Sequence, residues 1–117
     1  MGQGLRASQV KESPNAVEAI KALGLESAHD KPSASILKRV QAIELRLKSD
    51  CQSGEVIPRP HPRALLTAYG MGNLYKVELP SFWRLLYTIV RDGENRYVII
   101  LEIVDHETYN KWFRSDR

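Results

Sequence analysis

The chain has 117 residues, of which 43% are hydrophobic and 26% charged, with 17 Lys and Arg against 14 Asp and Glu. This length suits a single domain over residues 1–117 that needs no disulfide or metal to build a core. The net charge of +3 is compatible with a polyanionic partner but too small to indicate one. A single cysteine, Cys51, excludes an internal disulfide and favours a reducing compartment, so we expect a cytoplasmic protein. No apolar run approaches the roughly 20 residues that span a bilayer, and the N-terminus lacks a signal-peptide pattern.

The N-terminal half predicts two helices. Residues 1–12 are polar and aperiodic, which indicates a disordered arm or a weak edge strand. Ser13 and Pro14 form a helix start signal, and Gly24 is the expected end of a short first helix. The longest helix is predicted from about Ser33 to Cys51, with an apolar stripe facing the core. The stripe consists of Ile36, Val40, Ile43 and Leu47.

Basic residues on and after the long helix are candidates for RNA binding. They are Lys38, Arg39, Arg46 and Arg63. The alternative for the helical residues is an ordinary solvated surface. The segment from Gln52 to Arg63 contains three prolines and a glycine and is predicted to be a loop. Within it, His61 lies between two prolines and is either a turn residue or a contributor to a site. A further turn of helix is predicted at 64–69, before Gly70.

Three strands and a terminal helix are predicted in the C-terminal half. The strands are Leu74–Leu79, Trp83–Arg91 and Arg96–Val104. A three-residue loop at 80–82 places Glu78 opposite Arg84. One face of the first two strands then carries the apolar residues Tyr75, Val77, Leu79, Trp83, Leu85, Tyr87 and Ile89. The other face carries Lys76, Glu78 and Arg84.

The same reasoning applied to the second hairpin favours Arg84 opposite Glu102. That register places Tyr97, Ile99, Leu101 and Ile103 on the core side. Asp105 is a good N-cap for a short helix, with His106 in its first turn and Tyr109 three residues later. We therefore predict an α+β fold, in which N-terminal helices pack on a twisted antiparallel sheet of three or more strands, followed by a short C-terminal helix.

The order of these elements resembles the RelE/ParE superfamily of toxins from type II toxin–antitoxin systems. The resemblance rests on LYKVEL, a short loop, WRLLYTIV, a turn, YVIILEIV and DHETY, and it covers roughly residues 33 to 113. It implies a RelE-like fold and a toxin whose partners are a cognate antitoxin and mRNA on the ribosome. Members of the superfamily usually begin with a strand, and this sequence has no convincing one. They also often carry more Lys and Arg in the sheet, where this chain has Glu78 and Glu102.

The candidate catalytic residues are Lys76, Glu78, Arg84, His106 and Tyr109. In the resemblance, four of these positions (Lys76, Arg84, His106 and Tyr109) are similar to those where ribonuclease members place phosphate-binding and acid–base groups. Cleavage by the neighbouring 2′-hydroxyl requires a base, cationic donors for the phosphorane and an acid for the leaving oxygen. Arginine matches phosphate oxygens in a bidentate fork, and histidine exchanges protons near neutral pH. The three histidines are too scattered to indicate zinc, and we expect no cofactor.

Each candidate also has a purely structural interpretation. Arg84 is equally explained by a cross-strand ion pair, His106 by its place in a first helical turn, and Tyr109 by packing on Trp112. Two other functions stay open. A ParE-like toxin inhibits DNA gyrase by binding and lacks an acid–base set, whereas a catalytically inactive member acts only by binding protein.

Overall fold

The computed structural model describes residues 5–114, which form four helices and a five-stranded sheet. In chain order the elements are β1 (Gln9–Glu12), α1 (Pro14–Glu26), α2 (Lys31–Ser49), β2 (Glu55–Val56), α3 (Arg63–Tyr69), β3 (Tyr75–Glu78), β4 (Arg84–Asp92), β5 (Asn95–Val104) and α4 (His106–Arg114), with a 3₁₀ turn at Pro80–Phe82 between β3 and β4. The α+β class, the N-terminal helices on a sheet and the short C-terminal helix are confirmed. No helix within residues 5–114 is long and apolar enough to cross a membrane.

The sheet is mixed, not wholly antiparallel as predicted. Its strand order is β1-β5-β4-β3-β2, and β1 runs parallel to β5 while the other pairs are antiparallel. β1 is the weak edge strand that was one of the two alternatives for residues 1–12, of which residues 1–4 lie outside the described residues. Of the four residues of β1 only Val10 is partly buried, so the sequence of β1 lacks the alternation of apolar and polar residues that would predict a strand. β2 has two exposed residues and lies in the predicted loop for the same reason.

α1 and α2 cover one face of the sheet. The predicted stripe of α2 is confirmed, because Ile36, Val40, Ile43 and Leu47 are all buried. The helix begins at Lys31, earlier than Ser33, since Pro32 is accepted in a first turn. Ser13 caps α1 by accepting a hydrogen bond from the Ala16 amide, as predicted. The expected end at Gly24 is wrong. The helix continues to Glu26 and is capped by Ser27, because Gly24 does not adopt the positive φ with which a glycine ends a helix.

The first hairpin has the predicted register. Glu78 pairs with Arg84, and the amide of Leu79 donates to the carbonyl of Trp83 over 2.9 Å. The residues predicted for the apolar face all belong to the core under α1 and α2. The charged residues Lys76, Glu78 and Arg84 lie together on the opposite face.

The predicted register of the second hairpin is wrong. Arg84 pairs with Val104, and Glu102 pairs with Leu86. The next pair is Tyr87 with Ile100, so Leu101 is an extra residue in β5 and forms a β-bulge. A bulge reverses the side-chain alternation of the strand beyond it, and a register assumed to be continuous cannot represent this reversal.

The bulge also changes which β5 residues face α1 and α2. Val98 and Ile100 lie in the core under these helices, together with Ile103, the one residue of β5 that was correctly assigned. Ile99 and Leu101 instead face the other side of the sheet, and Tyr97 contacts the Lys11 ammonium group at the sheet edge.

A second apolar core lies on the face that was predicted to carry the small cluster of charges. Its buried residues are Ile57, Leu65, Met71, Leu74, Leu86 and Leu101. α3 and α4 cover it, with Tyr109, Trp112 and Phe113 of α4 packed against it. The sheet is therefore buried between two helical layers, and the charged residues border the second core.

Two leucines on α2 allow a matched test of this packing. Leu47 is fully buried, whereas Leu45 on the same helix is 77% exposed. We expect Leu47→Ala to lower the free energy of unfolding by about 2–5 kcal/mol through lost burial and a cavity. Leu45→Ala should change it by no more than about 0.5 kcal/mol. Urea denaturation of both variants is the measurement, and equal losses would contradict the assigned face of α2.

A pair of acidic residues joins α2 to β1. Burial and the neighbouring Glu12 carboxyl raise the pKa of Glu44 to about 8. Between the ordinary value of 4.5 and about 8, folded Glu44 keeps a proton that the unfolded chain has released. Stability should therefore fall as pH rises through this window. We expect Glu44→Gln to make the loss of stability with rising pH less steep, as measured by thermal unfolding from pH 5 to pH 9. An equally steep loss in this variant would contradict the raised pKa of Glu44.

Candidate functional site

The candidate site lies where the β3–β4 hairpin meets α4. Glu78 is ion-paired with both neighbouring cations: its Oε2 lies 3.5 Å from Lys76 Nζ and its Oε1 lies 2.9 Å from Arg84 Nε. The Arg84 side chain is only 13% exposed. Its Nε has no hydrogen-bond partner among the described residues, so the contact with Glu78 is an ion pair without hydrogen-bond geometry. The structure therefore contains the cross-strand ion pair between Arg84 and Glu78 that the sequence predicts, and this pair helps to orient the largely buried Arg84 side chain.

Tyr109 brings α4 to this charged pair. The guanidinium carbon of Arg84 lies 4.9 Å from the centre of the Tyr109 ring, and Lys76 Nζ lies 5.6 Å from it. Both are cation–π contacts. The ring of Phe113 stacks on Tyr109 with the centres 4.3 Å apart. Four of the five predicted catalytic residues are thus brought together, and the role of Tyr109 includes packing within its own helix.

The start of α4 is fixed by Asp105, as predicted. The Thr108 amide donates a 2.8 Å hydrogen bond to the Asp105 carboxylate. This bond lowers the pKa of the Asp105 carboxyl. The cap sets where the first turn of α4 begins, and so it also sets the position of His106 at the mouth of the site.

Lys76, Glu78, Arg84 and Tyr109 together form what we call the charged cluster. His106 lies at its exposed rim. Its Nε2 is 2.9 Å from the side-chain nitrogen of Asn110, one helical turn later. Its ring is 5.9 Å from the ring of Phe82. The backbone carbonyl of Phe82 in turn accepts a hydrogen bond from Arg84 Nη1. Phe82 therefore connects the fifth predicted residue to the other four.

Phe82 is a site residue that sequence reasoning missed. Its φ is 64°, its neighbour Ser81 has φ 60°, and the Phe82 side chain is 72% exposed. A bulky residue in the left-handed region is strained, and such strain collects at functional positions. The three-residue loop predicted from the strand register requires a tight reversal, but nothing in the sequence indicates which residues take positive φ.

Glu55 is a second residue that the sequence did not indicate. It pairs with Lys76 across β2 and β3. Burial alone would lower the pKa of Lys76, but the Tyr109 hydroxyl and the Glu55 carboxylate raise it above its ordinary value. Lys76 is therefore a stable ammonium ion. Two cations and two carboxylates meet here, so the cluster carries little net charge.

The predicted RNA-binding residues are divided between the two sides of the sheet. Lys38, Arg39 and Arg46 are exposed on α2, which covers the face opposite the charged cluster. The structure does not bring these three to the site. Arg63 begins α3, on the same side as the cluster.

Arg63 lines an open groove of about 990 Å³ between the proline-rich loop and α4. The groove is lined by Ile57, Pro58, Arg59, Pro60, His61, Pro62, Arg63, Leu66, Tyr109, Asn110, Phe113 and Arg114. His61 is buried in its wall, and its Nε2 lies 3.0 Å from the carbonyl oxygen of Ile57. Because Tyr109 also contacts Arg84, the groove adjoins the charged cluster directly.

Glu102 serves a different purpose from Glu78. Its carboxylate is buried and accepts hydrogen bonds from the Tyr69 hydroxyl at 2.5 Å and the Asn15 amide at 2.9 Å. Burial and the Glu102 carboxylate raise the pKa of the Tyr69 hydroxyl. These contacts tie the beginning of α1 and the end of α3 to β5, so Glu102 holds the layers together.

Phe82→Asn tests the strain in the β3–β4 loop. Asparagine tolerates the left-handed region better than phenylalanine, and little burial is lost at a side chain that is 72% exposed. We expect the free energy of unfolding to rise by about 0.5–1 kcal/mol. Chemical denaturation measures it, with Phe82→Leu as a control that keeps an apolar side chain and the strain. A clear loss of stability in the asparagine variant would contradict the interpretation.

Comparison with known proteins gives no match to a protein-family profile and no significant sequence match to a curated protein. Within residues 5–114, no group of three or more His, Cys, Asp or Glu side chains is placed to hold a metal ion. The function is therefore inferred from the geometry of the charged cluster and from the resemblance of the strand pattern described above.

Proposed function

We propose that the chain is the toxin of a type II toxin–antitoxin system and cleaves mRNA on the ribosome by metal-independent attack of a 2′-hydroxyl on the adjacent phosphodiester. The observation that carries the proposal is the orientated arginine beside Tyr109, with a histidine at the rim. The resemblance of strands and terminal helix to the RelE/ParE superfamily supports the same class.

Arg84 is assigned to the phosphorane. Its Nε is ion-paired with Glu78 and its Nη1 donates to the Phe82 carbonyl, while its guanidinium carbon lies 4.9 Å from the centre of the Tyr109 ring. A guanidinium held in this way offers fixed donors to the charge that develops on the phosphoryl oxygens. Lys76 adds a second positive charge beside the same ring.

His106 is assigned to proton transfer. In the reaction, a base removes the 2′-hydroxyl proton and the 2′-oxygen forms a bond to phosphorus. The bond from phosphorus to the 5′-oxygen then breaks, and an acid protonates that oxygen. The products are a 2′,3′-cyclic phosphate and a 5′-hydroxyl. His106 is exposed at the rim and can reach a leaving or attacking oxygen, whereas Glu78 is ion-paired to both cations and is assigned to positioning Arg84.

The remaining parts of the proposal concern the partners. One histidine and one arginine make a sparse catalytic set, so the ribosome would supply much of the positioning of mRNA. A cognate antitoxin would neutralise the toxin in the cytoplasm. The outer edges of β1 and β2, and the exposed Phe82 beside His106, are surfaces for such a partner to cover. Co-purification with the product of the neighbouring gene tests this part.

Substitution of the two assigned residues tests the catalytic proposal. We expect Arg84→Ala and His106→Ala each to lower cleavage of mRNA in a translating extract by about 10² or more. Lys76→Ala should cost less, because an ammonium group supplies charge without a fixed hydrogen-bond fork. Toxicity on induction should fall in parallel.

Arg91→Ala is the matched control, since Arg91 is an exposed arginine on the same strand as Arg84. Its cleavage should equal that of the unaltered chain. Circular dichroism and thermal unfolding establish that each variant is folded. Unaltered toxicity in a folded Arg84→Ala, His106→Ala double variant would contradict the nuclease and favour a gyrase-binding toxin or a pure binding module.

A further inference from the structure

The charged cluster has too little net positive charge to attract an RNA strand. Lys76 and Arg84 are balanced by Glu78 and Glu55 in the immediate surroundings. Affinity for single-stranded RNA depends on cations that neutralise successive phosphates. A near-neutral cluster is suited to stabilising one phosphorane, but it offers little attraction to the rest of the strand.

Three basic residues line the groove beside the cluster. Arg59, Arg63 and Arg114 line it, and none of the residues that line it in the described part of the chain is acidic. Arg59 is held to the loop by a 2.6 Å hydrogen bond to the Gly72 carbonyl. The other two arginines come from opposite walls, one from α3 and one from the end of α4.

The same groove offers apolar surface between its cations. Leu66 of α3 is 42% exposed, and Phe113 of α4 is partly buried with its ring stacked on Tyr109. Alternating cations and apolar or aromatic side chains are the combination that binds a sugar–phosphate backbone together with its bases. The groove also runs to Tyr109, whose ring is 4.9 Å from the guanidinium carbon of Arg84, so an occupant of the groove lies next to the charged cluster.

We propose that this groove binds the single-stranded RNA that flanks the scissile phosphate. Arg63 and Arg114 contact backbone phosphates from opposite walls, and a base lies on Leu66 and Phe113. The proposal rests on the proposed function for the identity of the ligand, and it assigns affinity to the groove and chemistry to the cluster. Lys38, Arg39 and Arg46 take no part, because α2 covers the opposite face.

Binding of an uncleavable RNA separates the two roles. The probe is a fluorescent hexanucleotide RNA with 2′-O-methyl riboses, and fluorescence anisotropy is measured from about 50 to about 200 mM KCl. We expect the double variant Arg63→Gln, Arg114→Gln to weaken binding about ten-fold or more. The slope of log affinity against log salt should fall by about 1.4, the amount expected for two lost contacts to a single strand. The single variant Arg114→Gln, at the exposed end of α4, should give about half this change in slope. It keeps the test valid if the substitution of Arg63 prevents folding.

The matched control is Arg39→Gln, Arg46→Gln, which removes the same charge from α2. It should change affinity by less than about two-fold, since net charge alone acts weakly at this salt. Equal weakening by both double variants, no weakening by the groove variant, or no RNA binding by the unaltered chain would overturn the proposal. So would displacement of the RNA by hexaglutamate at equal or lower concentration, which would identify the groove as a site for acidic peptides.

Failure of the groove assignment can be distinguished from failure of the proposed nuclease function. If the unaltered chain binds the RNA through the groove but never cleaves unmodified mRNA, the groove assignment stands and the nuclease fails. If the groove variant binds normally while Arg84→Ala abolishes cleavage, the nuclease stands and the groove assignment fails.

Discussion

The alternation of side chains along β4 is the constraint on which the rest of the structure depends. β4 lies in the middle of the sheet, with Leu85 and Tyr87 in the core under α1 and α2 and Leu86 in the core under α3 and α4. A slip of one residue would exchange the two cores and bury Arg84 under α2. Tyr87 also fixes the loop after α2, because its hydroxyl donates to the Cys51 carbonyl at 2.7 Å and accepts from the Gly54 amide at 2.9 Å. A Cβ atom on Gly54 would lie 2.7 Å from that hydroxyl, so this approach requires glycine.

The same contacts hold α4 against the sheet and set the geometry of the candidate site. α4 has nine residues and no fully buried side chain, and an isolated helix of this length is marginal in water. It is held by its Asp105 cap, by the packing of Trp112 and Phe113, and by the cations that lie over Tyr109. Arg84 is orientated by the same contacts. Loss of Tyr109 would therefore disturb both the helix and the arginine, which makes that residue a poor test of catalysis on its own.

Sequence patterns predicted those parts of the fold in which charged residues mark one face and the backbone is regular. The stripe of α2 and the first hairpin are of this kind, and the meeting of Lys76, Glu78 and Arg84 follows from that hairpin. The β5 bulge at Leu101 could not be predicted, because an apolar run buried on both faces has no alternation to mark an extra residue. β1 and β2 are short, mostly exposed edges. The groove was missed because Arg114 is distant in sequence from Arg59 and Arg63, and it lines the same groove only when α3 and α4 pack on the same face.

The chemistry of the RNA ends produced by the chain is the most direct test of the central claim. Purified chain is incubated with ribosomes paused on a defined mRNA in buffer containing EDTA at a level that leaves the ribosomes intact, and the fragments are analysed by mass spectrometry. Attack by the 2′-hydroxyl predicts a 2′,3′-cyclic phosphate on one fragment and a 5′-hydroxyl on the other, both absent with Arg84→Ala. Intact mRNA, or fragments that carry a 5′-phosphate and a 3′-hydroxyl, would contradict the account.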